Sequence, residues 1–207
     1  MNLITKYYQL HNYIFNNQSF ISGLGPLALR LFLFPVFWVA GMNKVEGFES
    51  IVEWFGNSDW GLGLPVPTLM AVLATGAEVI GAVLLLLGLA TRWIAIPLMI
   101  TMIVAIFSVH WPNGWQATHD LMSWGANANA DEALRRLDIA KDILREHGNY
   151  EWLTEKGGIT SSNNGIEFGV TYFVMLVALF FSGGGRLFSV DYYLDRHLNP
   201  ENHRVSK

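Results

Sequence analysis

The chain has 207 residues, enough for one domain or a compact domain with one insertion, and a formal net charge of −4. Hydrophobic residues make up 52% and charged residues 14%, well below the roughly 25% charged residues of soluble domains, so a water-exposed globular surface is excluded. Cysteine is absent, which removes disulfides, thiolate metal sites, haem attachment and cysteine nucleophiles, and the acidic balance leaves no footprint for nucleic acid.

Residues 1–20 lack an unbroken apolar core ahead of a small-residue cleavage site, so the first spanning segment is expected to act as its own insertion signal. The aromatic, uncharged stretch 7–20 is expected to lie along the membrane interface. Four apolar stretches follow, at 26–42, 67–89, 93–111 and 166–184, each near the ~20 residues that cross ~30 Å of hydrocarbon. Backbone amides in lipid must be satisfied within their own segment, so these are predicted helices. The predicted fold class is all-α: a membrane-spanning four-helix bundle with an extra amphipathic helix in an extramembrane insertion. Pro35 and Pro97 are expected to kink the first and third helices, which membrane helices tolerate.

Short basic loops stay cytoplasmic, and Thr91-Arg92 joins the second and third spans. Both termini are therefore expected in the cytoplasm, beneath a bacterial inner membrane. The tail residues Arg186, Arg196, Arg204 and Lys207 agree, as does the loop 43–66, where Glu46, Glu49, Glu53 and Asp59 outnumber Lys44. Trp60, Trp93, Trp111 and Trp115 fall near the predicted interfaces.

The third and fourth spans are separated by a polar insertion, 112–165. Within it 129–147 reads as a soluble amphipathic helix: Asn129 with Glu132 forms a capping box, Leu134, Leu137, Ala140 and Leu144 share a face, and Gly148 supplies the stop. This helix is expected to pack on the membrane domain or to contact a partner. The chain thus divides into an interfacial segment (1–24), three spans (25–111), the insertion (112–165), and a fourth span with its cytoplasmic tail (166–207).

Ionisable groups inside spans are costly unless paired or facing a polar cavity. Glu78 lies about 16 Å below the start of its segment and Arg30 about 6 Å in from the opposite face, so a bidentate Arg30–Glu78 pair is geometrically possible. Three readings stay open: the pair fixes helix register, Glu78 and Arg30 form a proton or quinone site, or Arg30 snorkels and Glu78 idles in neutral form. A second polar cluster, Lys44, His110 and Glu167 with His119-Asp120 beside them, is expected near the outer face as a cofactor-binding or proton-relay set. No HxH or HxxxH spacing supports a metal site, and the methionines within the spans read as packing. Gly76, Gly81 and Gly88 allow close helix approach in the second span, and Gly183-Gly184-Gly185-Arg186 should end the fourth helix. No Ser-His-Asp set, P-loop or dinucleotide fingerprint appears.

These residues resemble the DoxX family of small four-helix bacterial membrane proteins. The resemblance rests on Arg30, Gly41-x-x-Lys44, Glu78-x-x-Gly81, Leu87-Gly88, Thr91-Arg92, His110, Glu167 and Gly183-Gly184-Gly185-Arg186-x-x-Ser189-x-Asp191, in this order across most of 24–194. The insertion 112–165 departs from the family's short third connection. The resemblance implies a role as a subunit in thiosulfate:quinone oxidoreductase-like, redox or thiol-stress assemblies, and longer members suggest metal or redox stress. Without cysteine, any redox role must use a bound quinone or serve a partner subunit. The expected function is a DoxX-type integral membrane subunit of a redox or stress-response assembly, in contact with the lipid bilayer and with a redox or metal-stress protein. The alternatives are a non-catalytic anchor that docks a soluble partner through the insertion, and a small transporter gated by the buried pair.

Overall fold

The computed structural model describes residues 4–7, 9, 11, 21–122 and 124–199. Most of the stretch 7–20, with Arg204 and Lys207 of the tail, lies outside the described residues. The described chain is helical, as predicted, with α1 Leu24–Glu46, α2 Phe48–Gly56, α3 Pro67–Leu87, α4 Thr91–Val104, α5 Ala130–His147, α6 Tyr150–Thr154, α7 Glu167–Ser182 and α8 Val190–Leu198. It divides into two compact units whose boundaries fall inside α4 and α7. One holds the described residues up to Thr101 and from Val174 onward, the other Met102–Phe173.

Among the described residues, three helices are long and apolar enough to cross a membrane: Leu24–Glu46, Pro67–Leu87 and Thr91–Asn113. The fourth predicted span is the apolar helix α7, 16 residues long, or about 24 Å at 1.5 Å per residue. It stops at Ser182 because Gly183 turns into the left-handed region at φ +72°, as the glycine run led one to expect. Pro35 and Pro97 lie inside α1 and α4. Beyond Val104 the third span continues as a π-helix, Ala105–His110, and a 3-10 turn, Trp111–Asn113. The wide turn was not expected; it runs into Pro112, which has no N–H to extend an α-helical ladder.

In the first unit Leu33 and Phe37 of α1, Leu85 of α3, Leu98 of α4 and Leu176 and Leu179 of α7 are fully or almost fully buried. Their neighbours Phe32, Leu73, Ile80, Ile100 and Phe181 are exposed. Helices apolar on every face suit hydrocarbon surroundings. Contacts of Arg30 with Leu85 and of Gly41 with Val79 run in opposite order along α1 and α3, so the two helices are antiparallel. The loop 43–66 is more structured than its acidity suggested: α2 packs on α3, and Glu49 and Glu53 face outward. The tail also gains a helix, α8, where only a turn was expected.

In the second unit the predicted amphipathic helix is α5, ending at Gly148. The capping box does not form. Asn129 makes no side-chain cap bond; Glu132 reaches forward to Arg136, and the Asn129 N–H that it would have held goes to Asn127 Oδ1 at 3.0 Å. Leu134, Leu137 and Leu144 lie on the more sheltered face, with Lys141 where Ala140 was expected; Ala140 is exposed. Asn163 stitches the ends of the insertion, donating to the carbonyls of Asn113 (2.7 Å) and Gln116 (2.6 Å) and accepting from Asn127 Nδ2 at 2.8 Å.

Candidate functional site

α1 and α3 meet where Gly41 removes the side chain between them. A Cβ at Gly41 would lie 2.7 Å from Val79 Cγ2 and 3.2 Å from Glu78 Cβ. This close approach, in the manner of small-residue membrane interfaces, sets Lys44, three residues on, beside Glu78. Lys44 Nζ donates to both carboxylate oxygens of Glu78, at 3.0 and 2.7 Å, and lies 3.5 Å from the Ala40 carbonyl. The Glu78 side chain is 5% exposed and that of Lys44 22%. One helical turn before Glu78, Thr75 is buried, and its hydroxyl has no partner among the described residues. An acid, a cation and an unfilled hydroxyl therefore share a small volume about halfway along a span.

The Arg30–Glu78 pair that spacing allowed does not form. Arg30 is fully buried and its guanidinium faces carbonyls: Nη1 donates to Leu85, Leu86 and Phe188 at 3.2–3.3 Å, and Nη2 to Leu187 at 2.8 Å and Phe188 at 3.3 Å. The carbonyls of Leu85 and Leu86 belong to the last turn of α3, so a cation sits where the helix dipole presents its negative end. Gly88 follows with φ +63°, and a Cβ there would collide with Arg30 Nη1. The Gly88 carbonyl accepts from Ser189 Oγ (3.0 Å) and the Asp191 N–H (2.9 Å). Asp191 in turn accepts from the N–H groups of Ala90 (2.6 Å) and Thr91 (2.9 Å), which open α4. Ser189, at the start of α8, thus spends its hydroxyl on Gly88 and not on its own helix. The motif Gly183-Gly184-Gly185-Arg186-x-x-Ser189-x-Asp191 is a latch that ties the end of the chain to the α3–α4 turn through Arg30.

Of the expected outer polar set, Lys44 is the partner of Glu78. In the second unit His110 Nδ1 lies 2.8 Å from the Asn164 carbonyl, and Glu167 Oε2 accepts from the Ala117 N–H at 2.9 Å. His119 Nδ1 meets Ser161 Oγ at 3.2 Å, while Asp120 accepts from the Met122 N–H at 2.9 Å. Sequence reasoning missed the Lys44–Glu78 pair, although Gly41-x-x-Lys44 was its signal: a small residue that brings α1 close to α3, three positions before a charge, whereas Gly81 makes room for Leu98 of α4. It also missed Thr75 and the capping role of Asp191; for that role no local signal exists, since the partners are 100 and 101 residues apart.

The DoxX family profile matches residues 25–111. "Putative oxidoreductase CatD" of Bacillus subtilis (strain 168) is 38% identical over 93 residues, 45% of this chain and 63% of that protein. "Inner membrane protein YphA" of Escherichia coli (strain K12) is 32% identical over 95 residues, again 45% of this chain and 63% of the relative. The chain spans less than two thirds of the length of these relatives. No solved structure matches it significantly. Residues 25–111, the helices that hold both Arg30 and the Lys44–Glu78 pair, are thus similar to the DoxX family.

Proposed function

We propose that this chain is the membrane-embedded subunit of a redox or stress-response assembly, with Lys44 and Glu78 handling protons at the head of a bound quinone. The observation that carries this reading is the pair itself: a carboxylate held by one ammonium within an apolar helix, beside the unfilled Thr75 hydroxyl. A buried ion pair is weak support for stability, since well-packed apolar residues do as well or better; its presence at membrane depth favours a functional role. A quinone carbonyl would accept a hydrogen bond from Thr75 or Lys44, and Glu78 would pass the proton that accompanies each electron. With no cysteine in the chain, the electrons come from a partner subunit, and Arg30 acts as a positioning residue that holds the end of α3. The name of the Bacillus subtilis relative agrees with an oxidoreductase context. The basic Thr91-Arg92 turn supports both termini lying in the cytoplasm.

The test is solvent extraction of protein purified in mild detergent, with quinone measured in the extract. Wild type is expected to release quinone and Glu78→Gln to release little. Quinone-free wild type, together with full activity of Glu78→Gln in cells, would refute the site. The anchor reading keeps one observation in its favour: Ile139 and Ile143, one turn apart on α5, are 60% and 55% exposed. It predicts that crosslinkers placed at these two positions capture a redox or metal-stress protein while Glu78→Gln is silent.

A further inference from the structure

At the latch end of the first unit, a cavity of about 540 Å³ opens between the start of α4, the glycine turn after α7 and the first turns of α8. Four charged residues line it: Arg92, Arg186, Asp191 and Asp195. The two carboxylates are already engaged. Asp191 holds the Ala90 and Thr91 N–H groups, and Asp195 accepts from Asn199 Nδ2 at 2.9 Å. The two guanidiniums are not satisfied in this way. Arg92 makes one hydrogen bond, from Nη2 to the Phe181 carbonyl at 3.1 Å, which leaves most of its five N–H donors without a partner among the described residues. Arg186 makes no hydrogen bond or ion pair with a described residue. Gly183 makes room for the arrangement, since a Cβ there would lie 3.1 Å from Arg92 Nε.

We infer that this cavity binds a phosphate group, forked between Arg92 and Arg186. Guanidinium N–H pairs match phosphate oxygens two by two. The setting favours one source. The cavity sits where the apolar residues of α4 and α7 give way to charge, and Trp93, 76% exposed, stands on its wall; indole prefers the depth of lipid headgroups. Arginine side chains with spare donors at this level suit anionic headgroups, so a phospholipid occupies it, its acyl chains running along the exposed face that carries Phe181. A soluble phosphate compound has the same recognition chemistry and is separated from the lipid by experiment. The inference rests on the membrane-spanning reading alone and not on the quinone site.

The experiment is native mass spectrometry of the full chain, delipidated in detergent and titrated with phosphatidylglycerol, with and without inorganic phosphate. Wild type should retain one lipid, and Arg186→Gln should bind it roughly fivefold more weakly, the worth of one basic residue near a membrane surface. Arg186→Lys should restore part of the loss, and Arg92→Gln should weaken binding at least as much. Circular dichroism checks that each variant is folded; Arg186, having no described partner, is the variant that leaves the fold intact. Displacement of the lipid by millimolar phosphate would assign the site to a soluble phosphate compound, and its absence to the lipid. Equal retention by wild type, Arg186→Gln and Arg92→Gln would overturn the proposal.

Discussion

Arg30→Met is the substitution that separates a structural latch from a reacting group. Methionine keeps much of the volume and removes every donor. Leu85 O retains a partner, since the Gly88 N–H also reaches it at 3.1 Å, but the carbonyls of Leu86, Leu187 and Phe188 lose the guanidinium. An orphaned buried acceptor costs about 1–3 kcal/mol, partly offset because a buried charge no longer has to be desolvated. A net loss of about 3 kcal/mol follows for the three carbonyls. For a chain of this size each kcal/mol is worth about 2–4 °C, so the unfolding midpoint should fall by about 6–12 °C. The eight tryptophans report the transition in detergent by intrinsic fluorescence, and limited proteolysis should show earlier cutting after Ser182. Gly88→Ala supplies the internal check. It clashes with Arg30 Nη1 and strains a left-handed position, so its cost should shrink when Arg30 is already methionine, giving a less-than-additive double mutant. A midpoint within about 2 °C of wild type for Arg30→Met, no more than one kcal/mol's worth for this size, or strict additivity with Gly88→Ala, would refute the latch.

The ion pair gives a second set of outcomes. Lys44→Met leaves Glu78 buried and alone and should cost about 3–5 kcal/mol, whereas the double variant Lys44→Met/Glu78→Met should recover most of it; a double variant that is stable yet inactive in cells marks the pair as functional, and one that is stable and active removes the need for it. Asp191→Ala should expose the first amides of α4, so hydrogen exchange at Ala90 and Thr91 should rise sharply while amides in the middle of α3 stay protected; unchanged exchange would contradict the cap. Asn163→Ala removes three hydrogen bonds that close the insertion at about 1 kcal/mol each, and should speed protease cutting within 112–165 without moving the main unfolding transition. Deletion of 129–148 should leave quinone content untouched if the pair is the site, and abolish function while Glu78→Gln is silent if the chain is an anchor.

What the residues alone determined is whatever depends on local composition. Apolar runs near 20 residues long become helices because hydrocarbon offers the backbone no other partner, so α1, α3 and the third span were legible, as was the all-helical class. The end of α7 was legible too, because a glycine run frees the backbone to leave the helix. The partners of the buried charges were not. Arg30 and Lys44 lie 14 positions apart on one helix and both can face α3; spacing allowed Glu78 to join Arg30, yet only the closeness permitted by Gly41 decided that Lys44 reaches it first. Arg30 turned instead to carbonyls contributed by Leu187 and Phe188, more than 150 residues away in sequence, and Asp191 to amides 100 residues back. Such bonds leave no periodicity in a single chain, since they depend on which helix faces which, and that is settled by packing among the helices of the first unit.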